Sequence, residues 1–323
     1  MLARVWLLMA LLGAAPAVAA EHSVRYQSSV SLAAALLIPD GSGSFPALVL
    51  VQGSGASDRS NPWARDIAQM LVRAGYAVLL TDKRGTGQSG GDWRNADFHD
   101  LAADTLAGVD FLKRDPRIDH RRIGVIGLSQ GGRVVPVAAA KSADIAFVVN
   151  LAGDAISFAE QSAHEMDNVG RQQGLPPEER AALNELNLTA GRAMLSGDWT
   201  EYRRLRESAL KTSWAKIAAG FPPVGDPVWQ FYAKSFAFDP MPYWITLRQP
   251  VLVLFGEADE QDNVAVAESR RRLEFGFGAA GKRNHAIKVL PGMGHTLGWR
   301  RGIGLGVDAE KVIIDWLASN SHP

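Results

Sequence analysis

The sequence predicts an α/β chain: a mostly parallel, doubly wound sheet with a helical insertion in its second half. Three observations predict it. Short continuous apolar runs alternate with amphipathic segments from residue 47 to 151, and the rhythm returns from residue 251 to 317. The stretch between them, from about residue 155 to 245, holds no strand-like run and is rich in Ala, Leu, Arg and Glu. Hydrophobic residues make up 47% of the 323, enough for a sizeable core. Strands alternating with helices argue for a parallel sheet covered on both faces, which is why its strands read as apolar throughout.

The first twenty residues read as an export segment. Arg4 gives a positive start, Val5 to Leu12 is almost wholly apolar, and Ala17-Val18-Ala19 fits a small-x-small cleavage pattern. The apolar stretch is too short to span a bilayer. Residues 1–20 are therefore set apart from the fold, and the mature chain is expected in the periplasm or outside the cell, without a stable membrane anchor. The chain has no cysteine, so an exported form must be held by its core rather than by disulfides.

Tyr26 to Ile38 alternates loosely and ends in the turn Pro39-Asp40-Gly41, an antiparallel hairpin at a sheet edge. Ala47 to Val51 is a strand buried on both faces, followed by the turn Gln52-Gly-Ser-Gly55. Trp63 to Ala74 has helical spacing and stops at Gly75. Tyr76 to Thr81 is the next strand, and Asp82 to Ser89 its loop. Phe98 to Lys113 is a helix with Leu101, Thr105, Val109 and Leu112 on one face. Ile123 to Leu128 is a strand, Gly131 to Ala140 a helix, and Ile145 to Leu151 a strand. The last elements are the strand Val251 to Phe255, a helix around Val264 to Leu273, the strand Ile287 to Leu290, and a helix near Val307 to Leu317. Residues 21–154 and 246–323 thus form the core, and 155–245 a helical cap.

Lys and Arg together number 34, as do Asp and Glu. A neutral chain offers no broad field for nucleic acid or an anionic membrane, so a small-molecule substrate is expected. Without cysteine there is no thiol nucleophile. No His-Glu-x-x-His motif suggests a metal, and no Gly-x-Gly-x-x-Gly after a strand suggests a dinucleotide, so no cofactor is expected.

Gly127-Leu-Ser-Gln-Gly131 lies between a strand and a helix, the context of a nucleophile elbow. Such a turn strains the serine backbone and aims the hydroxyl of Ser129 at a helix N-terminus, where developing negative charge is favoured. A serine alcohol needs a base. Of seven histidines only His295, in Leu290-Pro-Gly-Met-Gly-His295, sits in a loop after a late strand. His22, His120 and His322 lie in terminal or turn-like segments, and His99, His164 and His285 read as surface positions. The base needs a carboxylate to hold its tautomer. Asp259 in Phe255-Gly-Glu-Ala-Asp259 leads, with Asp262 open as the alternative and Glu257 a third; Glu260 and Asp262 are expected to start the next helix. Oxyanion donors are expected at the backbone N–H groups of Gln130 and Ser54. Asp82 and Arg84 read as tying a structural turn beside the site.

With these residues the chain resembles the α/β-hydrolase superfamily, and within it secreted esterases and serine-aminopeptidase-like hydrolases with a helical cap. The carriers are Val51-Gln-Gly-Ser-Gly55, Asp82-Lys-Arg-Gly-Thr-Gly-Gln-Ser89, Gly127-Leu-Ser-Gln-Gly131, Phe255-Gly-Glu-Ala-Asp259 and Gly292-Met-Gly-His295, over most of residues 25–320. The resemblance implies an acyl-enzyme hydrolase acting on carboxylic esters. Many relatives begin the oxyanion loop with His-Gly, where Gln52-Gly53 stands here; many place Val-Pro soon after the acid, where Asn263-Val264-Ala265 follows at longer spacing.

The same machinery on amides or thioesters is the alternative. A peptidase needs a carboxylate for a free amine, and Asp154, Glu160 and Glu165 are the candidates. In the cap, Trp214, Trp229, Phe231, Tyr232, Phe236 and Trp244 either line a pocket or pack the cap onto the core, and packing is expected for most. Ser208-Ala-Leu-Lys211 matches a Ser-x-x-Lys pattern by chance, since no Ser-Asp-Asn or Lys-Thr-Gly accompanies it. A third reading is a non-catalytic binding protein on the same fold.

Overall fold

The computed structural model describes residues 20–321. The export segment predicted at the N-terminus lies outside the described residues, except for Ala20.

Eight strands form one sheet, β1 (Ala20–Gln27), β2 (Ser31–Ile38), β3 (Phe45–Val51), β4 (Ala77–Thr81), β5 (Ile118–Leu128), β6 (Val148–Leu151), β7 (Val251–Gly256) and β8 (His285–Leu290), in the order β1-β2-β4-β3-β5-β6-β7-β8. The hairpin β1–β2 and the pair β2–β4 are antiparallel, and every pairing from β4 through β3 to β8 is parallel. Strict alternation splits each central strand between two cores. Val49 and Val51 face one side with Leu79, Val125 and Val253; Leu48 and Leu50 face the other with Leu80, Ile126 and Leu252. Both sides are dry because helices cover both. Helices α1 (Pro62–Arg73) and α11 (Val307–Asn320) close one face, with Ile67, Leu71, Ile313 and Leu317 buried. Helices α2 (Phe98–Lys113), α3 (Gly131–Lys141) and α10 (Val266–Ala279) close the other.

Strand starts shift by two or three residues at β3 (Phe45, not Ala47), β6 (Val148, not Ile145) and β8 (His285, not Ile287), and by more at β1 and β5. The edge hairpin begins at Ala20 rather than Tyr26, because most of β1 is polar and exposed and carries no apolar signal. Strand β5 begins at Ile118 rather than Ile123. Its first residues, Asp119 to Arg122, are polar, and the pairing with β3 shifts register there.

Between β6 and β7 the chain forms six helices: α4 (Phe158–Gln172), α5 (Pro177–Ser196), α6 (Thr200–Ala209), α7 (Ala215–Gly220), α8 (Val228–Ser235) and α9 (Met241–Trp244). Trp214 and Trp229 do not pack this segment onto the sheet. They build its own small core with Leu183, Leu186 and Tyr202, and Trp229 meets Tyr202 edge-on at 5.3 Å. Phe231 and Trp244 do reach the main core, where Phe231 packs edge-on to Phe98 at 5.7 Å and Trp244 to Phe277 at 6.4 Å.

Helix α3 presses onto the sheet through glycine. A Cβ on Gly132 would overlap Asn150 Oδ1 and come within 2.7 Å of Gly153 Cα. Both neighbours are fixed, since the Asn150 side chain donates to Gly153 O at 2.7 Å and accepts from Gly153 N at 3.0 Å. Gly132→Ala is therefore expected to lower the unfolding free energy by about 1–3 kcal/mol, the usual cost of overpacking a closed contact. A urea midpoint indistinguishable from wild type would refute this contact as a constraint.

Candidate active site

Every loop that carries a predicted site residue leaves the same end of the sheet, the carboxyl end of its parallel strands, where open α/β sheets bind ligands. The turn after β5 puts Ser129 at φ 51°, a left-handed conformation that a non-glycine residue seldom adopts. Its N–H is anchored to Leu151 O at 2.9 Å, and its C=O accepts from Gly132 N at 2.8 Å. The turn is thus held from the neighbouring strand and from the helix it starts.

Ser129 Oγ lies 2.9 Å from His295 Nε2, and His295 Nδ1 lies 2.8 Å from Asp259 Oδ2. Asp259 is fully buried and only accepts, so Nδ1 carries the ring proton and Nε2 is free to accept from the serine hydroxyl. The Asp259 carboxylate also accepts from the N–H groups of Asn263 and Val264, each at 3.3 Å. A 3₁₀ turn over Glu257–Gln261 makes this possible and takes up the long spacing to Val264. Asp262 lies on the exposed side of that turn, 3.4 Å from Gln172 Nε2, and Glu257 accepts from Gly292 N at 3.0 Å. The structure thus brings Asp259, not the other two carboxylates, to His295. Glu260 does meet the next helix, accepting from Ala267 N at 2.7 Å, but Asp262 does not start it.

The loops of the acid and the base are pressed together. Ala258 N donates to Met293 O at 2.8 Å, and a Cβ on Gly256 would overlap the Met293 and Gly294 carbonyls. The Trp63 ring packs beside the imidazole with centroids 6.0 Å apart. One face of α4 holds the acid loop from above: Gln161 accepts from Ala265 N and donates to Asn263 O, Asn168 donates to Glu260 O at 2.9 Å, and Gln172 donates to Gln261 O at 2.8 Å. His164 belongs to that face, with Nε2 3.0 Å from Glu260 O. It is half-buried rather than on the surface, as is His285 at the start of β8.

Among the described residues, the backbone N–H groups of Gln130 and Ser54 have no protein acceptor. Gly53 lies against the serine: a Cβ built on it would stand 3.5 Å from Ser129 Cβ. Gln52 is buried and spans the loop, donating to Asp58 O and Thr81 O at 3.0 Å each and accepting from Ser57 Oγ at 3.0 Å. Lys83 escaped the sequence reading. It is buried, and its Nζ donates to Gly53 O, to Gly55 O at 3.0 Å and to Gln130 Oε1 at 3.1 Å. Only its place straight after a buried strand marked it. Asp82 ties its own loop, accepting from Gln88 N at 2.9 Å, and pairs with Arg59 at 2.7 Å; Arg84 anchors it to the next helix by pairing with Asp104 at 2.7 Å.

Of the candidate amine-binding carboxylates, two are already engaged. Asp154 pairs with Arg133 at 2.7 Å in a buried contact that costs about 3–5 kcal/mol to break from one side. Burial pushes its pKa up, and the Arg133 guanidinium opposes that rise. Glu160 closes the capping box of α4 and pairs with Arg272 at 2.6 Å, which draws its pKa down to about 2. Glu165 is different. It lines a cavity of about 290 Å³ with Phe158, Met166, Ile217, Trp229, Tyr232 and Phe236. Among the described residues it has no hydrogen-bond or ion-pair partner; burial raises its pKa, while His295 is near enough to act the other way. Among the described residues, no cluster of three or more His, Asp or Glu side chains could hold a metal ion.

A family model described as X-Pro dipeptidyl-peptidase (S15 family) matches residues 28–259, a span that takes in Ser129 and Asp259 and ends before His295. An uncharacterized protein of Pseudomonas aeruginosa is 25% identical over 294 residues, covering 83% of this chain and 72% of that protein. Esterase EstD of Thermotoga maritima is 36% identical over 112 residues, which are 33% of this chain and 27% of EstD. The solved structure of an esterase from Pyrococcus furiosus superposes with a TM-score of 0.63 at 18% identity, over 94% of this chain and 92% of that one, a likeness of fold.

Burial pushes the Lys83 pKa down to about 7, well below that of an unfolded lysine at about 10.4. Below the folded value both states hold the proton, and the buried charge destabilises in full. Between the two values the unfolded chain keeps a proton that the folded chain has released, so this contribution to stability rises with pH. Urea midpoints of wild type and Lys83→Met should therefore shift in favour of wild type between about pH 6.5 and pH 9.5. A constant difference between them would contradict the burial of a titrating amine.

Proposed function

We propose a serine acyl-transfer reaction for this chain, which belongs to the X-Pro dipeptidyl-peptidase (S15) family, has the α/β-hydrolase fold and is an enzyme of hydrolase type. The observation that carries the proposal is the unbroken relay Ser129–His295–Asp259 at the mouth of the sheet.

In this reading Ser129 Oγ attacks the carbonyl carbon of a carboxylic ester while His295 Nε2 takes the hydroxyl proton. The carbonyl π pair moves to oxygen, and the backbone N–H groups of Gln130 and Ser54 receive the oxyanion. Collapse re-forms the carbonyl and breaks the bond to the leaving alkoxide, which takes the proton from His295. Water then adds to the acyl-enzyme, gives His295 a proton, and releases the acid as the proton returns to Ser129. Asp259 stays ionised throughout and holds the imidazole in the productive tautomer. The mostly apolar cavity in the cap, whose Glu165 is near enough to His295 to feel its charge, suits an apolar acyl or alcohol portion. Ala17-Val18-Ala19 supports an exported enzyme.

A fluorophosphonate probe should label the wild-type protein at Ser129, read by mass spectrometry, and hydrolysis of p-nitrophenyl butyrate should fall by about 10⁴-fold or more in Ser129→Ala. A folded wild-type protein that takes no label would sink the reaction and favour a binding protein on this fold.

One observation favours a second reading, an amide or peptide substrate with a free amine. Glu165 presents an unpaired carboxylate in the cavity, and the family's own description is a peptidase. Glu165→Gln should then lower kcat/KM on a dipeptidyl p-nitroanilide by about 30-fold or more, the least cost of an unpaired buried charge. The N-acetylated analogue and p-nitrophenyl butyrate should scarcely change. Equal losses on all three would remove Glu165 from amine recognition.

A further inference from the structure

One buried amine touches Gln130 and the peptide unit that carries the Ser54 N–H, the two candidate oxyanion donors. Lys83 Nζ donates to Gly53 O, the oxygen end of the peptide unit whose hydrogen end is the Ser54 N–H. It also donates to the side-chain oxygen of Gln130, whose own N–H is the other donor. An ammonium has no acceptor, so with Lys83 protonated the Gln130 amide must present its oxygen. The third Lys83 hydrogen goes to Gly55 O, so three donors meet three acceptors.

We propose that Lys83 is a positioning residue that sets the oxyanion hole, by clamping the Gly53–Gly55 loop to the elbow and fixing the direction of the Gly53–Ser54 peptide. The inference rests on the acyl-transfer reading. The physical reason is the rigidity of the peptide unit. In a trans peptide the C=O and N–H point in opposite directions. A donor that holds Gly53 O on one side therefore aims the Ser54 N–H to the other. Without it, a loop with glycine at residues 53 and 55 can turn that peptide at little steric cost. While protonated, the amine also polarises the peptide and strengthens its N–H as a donor.

The rest of the loop is pinned elsewhere, which isolates what Lys83 does. Gln52 and Ser57 anchor its two ends through Thr81 O, Asp58 O and Thr86 Oγ1, and none of these bonds reaches Gly53 or Ser54. Trp93 shields the amine, its ring centroid 6.0 Å from Nζ.

The test uses the rate of fluorophosphonate labelling, which needs no known substrate. In labelling, Ser129 Oγ bonds to phosphorus as fluoride leaves, and negative charge grows on the phosphoryl oxygen. Lys83→Met should lower the maximal labelling rate about 10- to 100-fold, the range set by a misplaced group and by a lost oxyanion donor. The concentration for half-maximal rate should stay within about threefold, because ground-state binding is spared. Gln130→Ala keeps the backbone donor and removes one anchor of the amine. It should cost about 3- to 10-fold, the worth of a single hydrogen bond.

A folded Lys83→Met protein labelled within about twofold of the wild-type rate overturns the proposal. If Lys83→Met does not fold, Gln130→Ala decides in the same way. Wild-type protein that takes no label at Ser129 overturns the acyl-transfer reading and this one with it. Normal wild-type labelling with undisturbed variants overturns this one alone.

Discussion

The strained serine turn depends on the close backbone approach of α3 to the ends of the central strands, and the rest of the site is arranged around that contact. Ser129 takes a left-handed conformation that costs about 1–3 kcal/mol in a residue with a side chain. What over-determines it is a stack of glycines. Gly127 meets the backbone of Gly131, Gly131 lies under Val51 O, where a Cβ would stand at 2.5 Å, and Gly132 meets Gly153. Any side chain in that stack would lift the helix away from the strand ends. Asn150 seals the far side by bonding both backbone groups of Gly153, and Ala152 is itself left-handed at φ 53°. Strain at the serine is thus offset by contacts that only small residues make.

The loops at this edge carry little apolar surface, so they are braced by charge. Arg59 reaches Asp82, Arg84 reaches Asp104, and Arg133 reaches Asp154, each pair at 2.7 Å and each with at least one largely buried partner. Buried ion pairs add little net stability over an apolar replacement, but a lone survivor is costly, so they fix geometry more than they add free energy. Arg133 shows the logic. Its guanidinium lies over the Phe158 ring at 5.4 Å and the Phe98 ring at 5.8 Å, so one side chain joins the elbow helix to the start of α4. Lys83 is the exception. It faces three neutral oxygens rather than a carboxylate, so nothing offsets the burial that draws its pKa down to about 7.

How much could be read beforehand follows from which forces leave a local signal. The central strands were legible because burial on both faces demands unbroken apolar runs, as at Leu48, Val49 and Leu50. The elbow and the histidine loop were legible because their chemistry needs fixed neighbours at short spacing. Polar edge pairing leaves no such trace, so most of β1 and the first residues of β5 went unseen. Asp259 and Asp262 could not be separated along the chain because their difference is a 3₁₀ turn, which puts one inward and the other outward. Lys83 was missed and His164 misplaced for one reason: a polar side chain in a loop or on a helix normally faces water, and here each turns inward to backbone oxygens.

The three carboxylates in and next to the cap differ in a way that bears on what the cavity can accept. Asp154 and Glu160 are matched by arginines, so their charge is spent inside the protein. Glu165 is not matched, and it sits among Phe158, Trp229 and Tyr232, where a charge is costly to keep. Burial raises its pKa, and the nearby imidazole is among the groups that lower it. In the proposed reaction His295 becomes an imidazolium in the transition state, and a carboxylate close by would favour that charge whatever the leaving group. The same carboxylate would attract a cationic substrate before any chemistry. These two roles separate physically. The first acts on every substrate through His295, whereas the second acts only on substrates that bring a positive charge of their own.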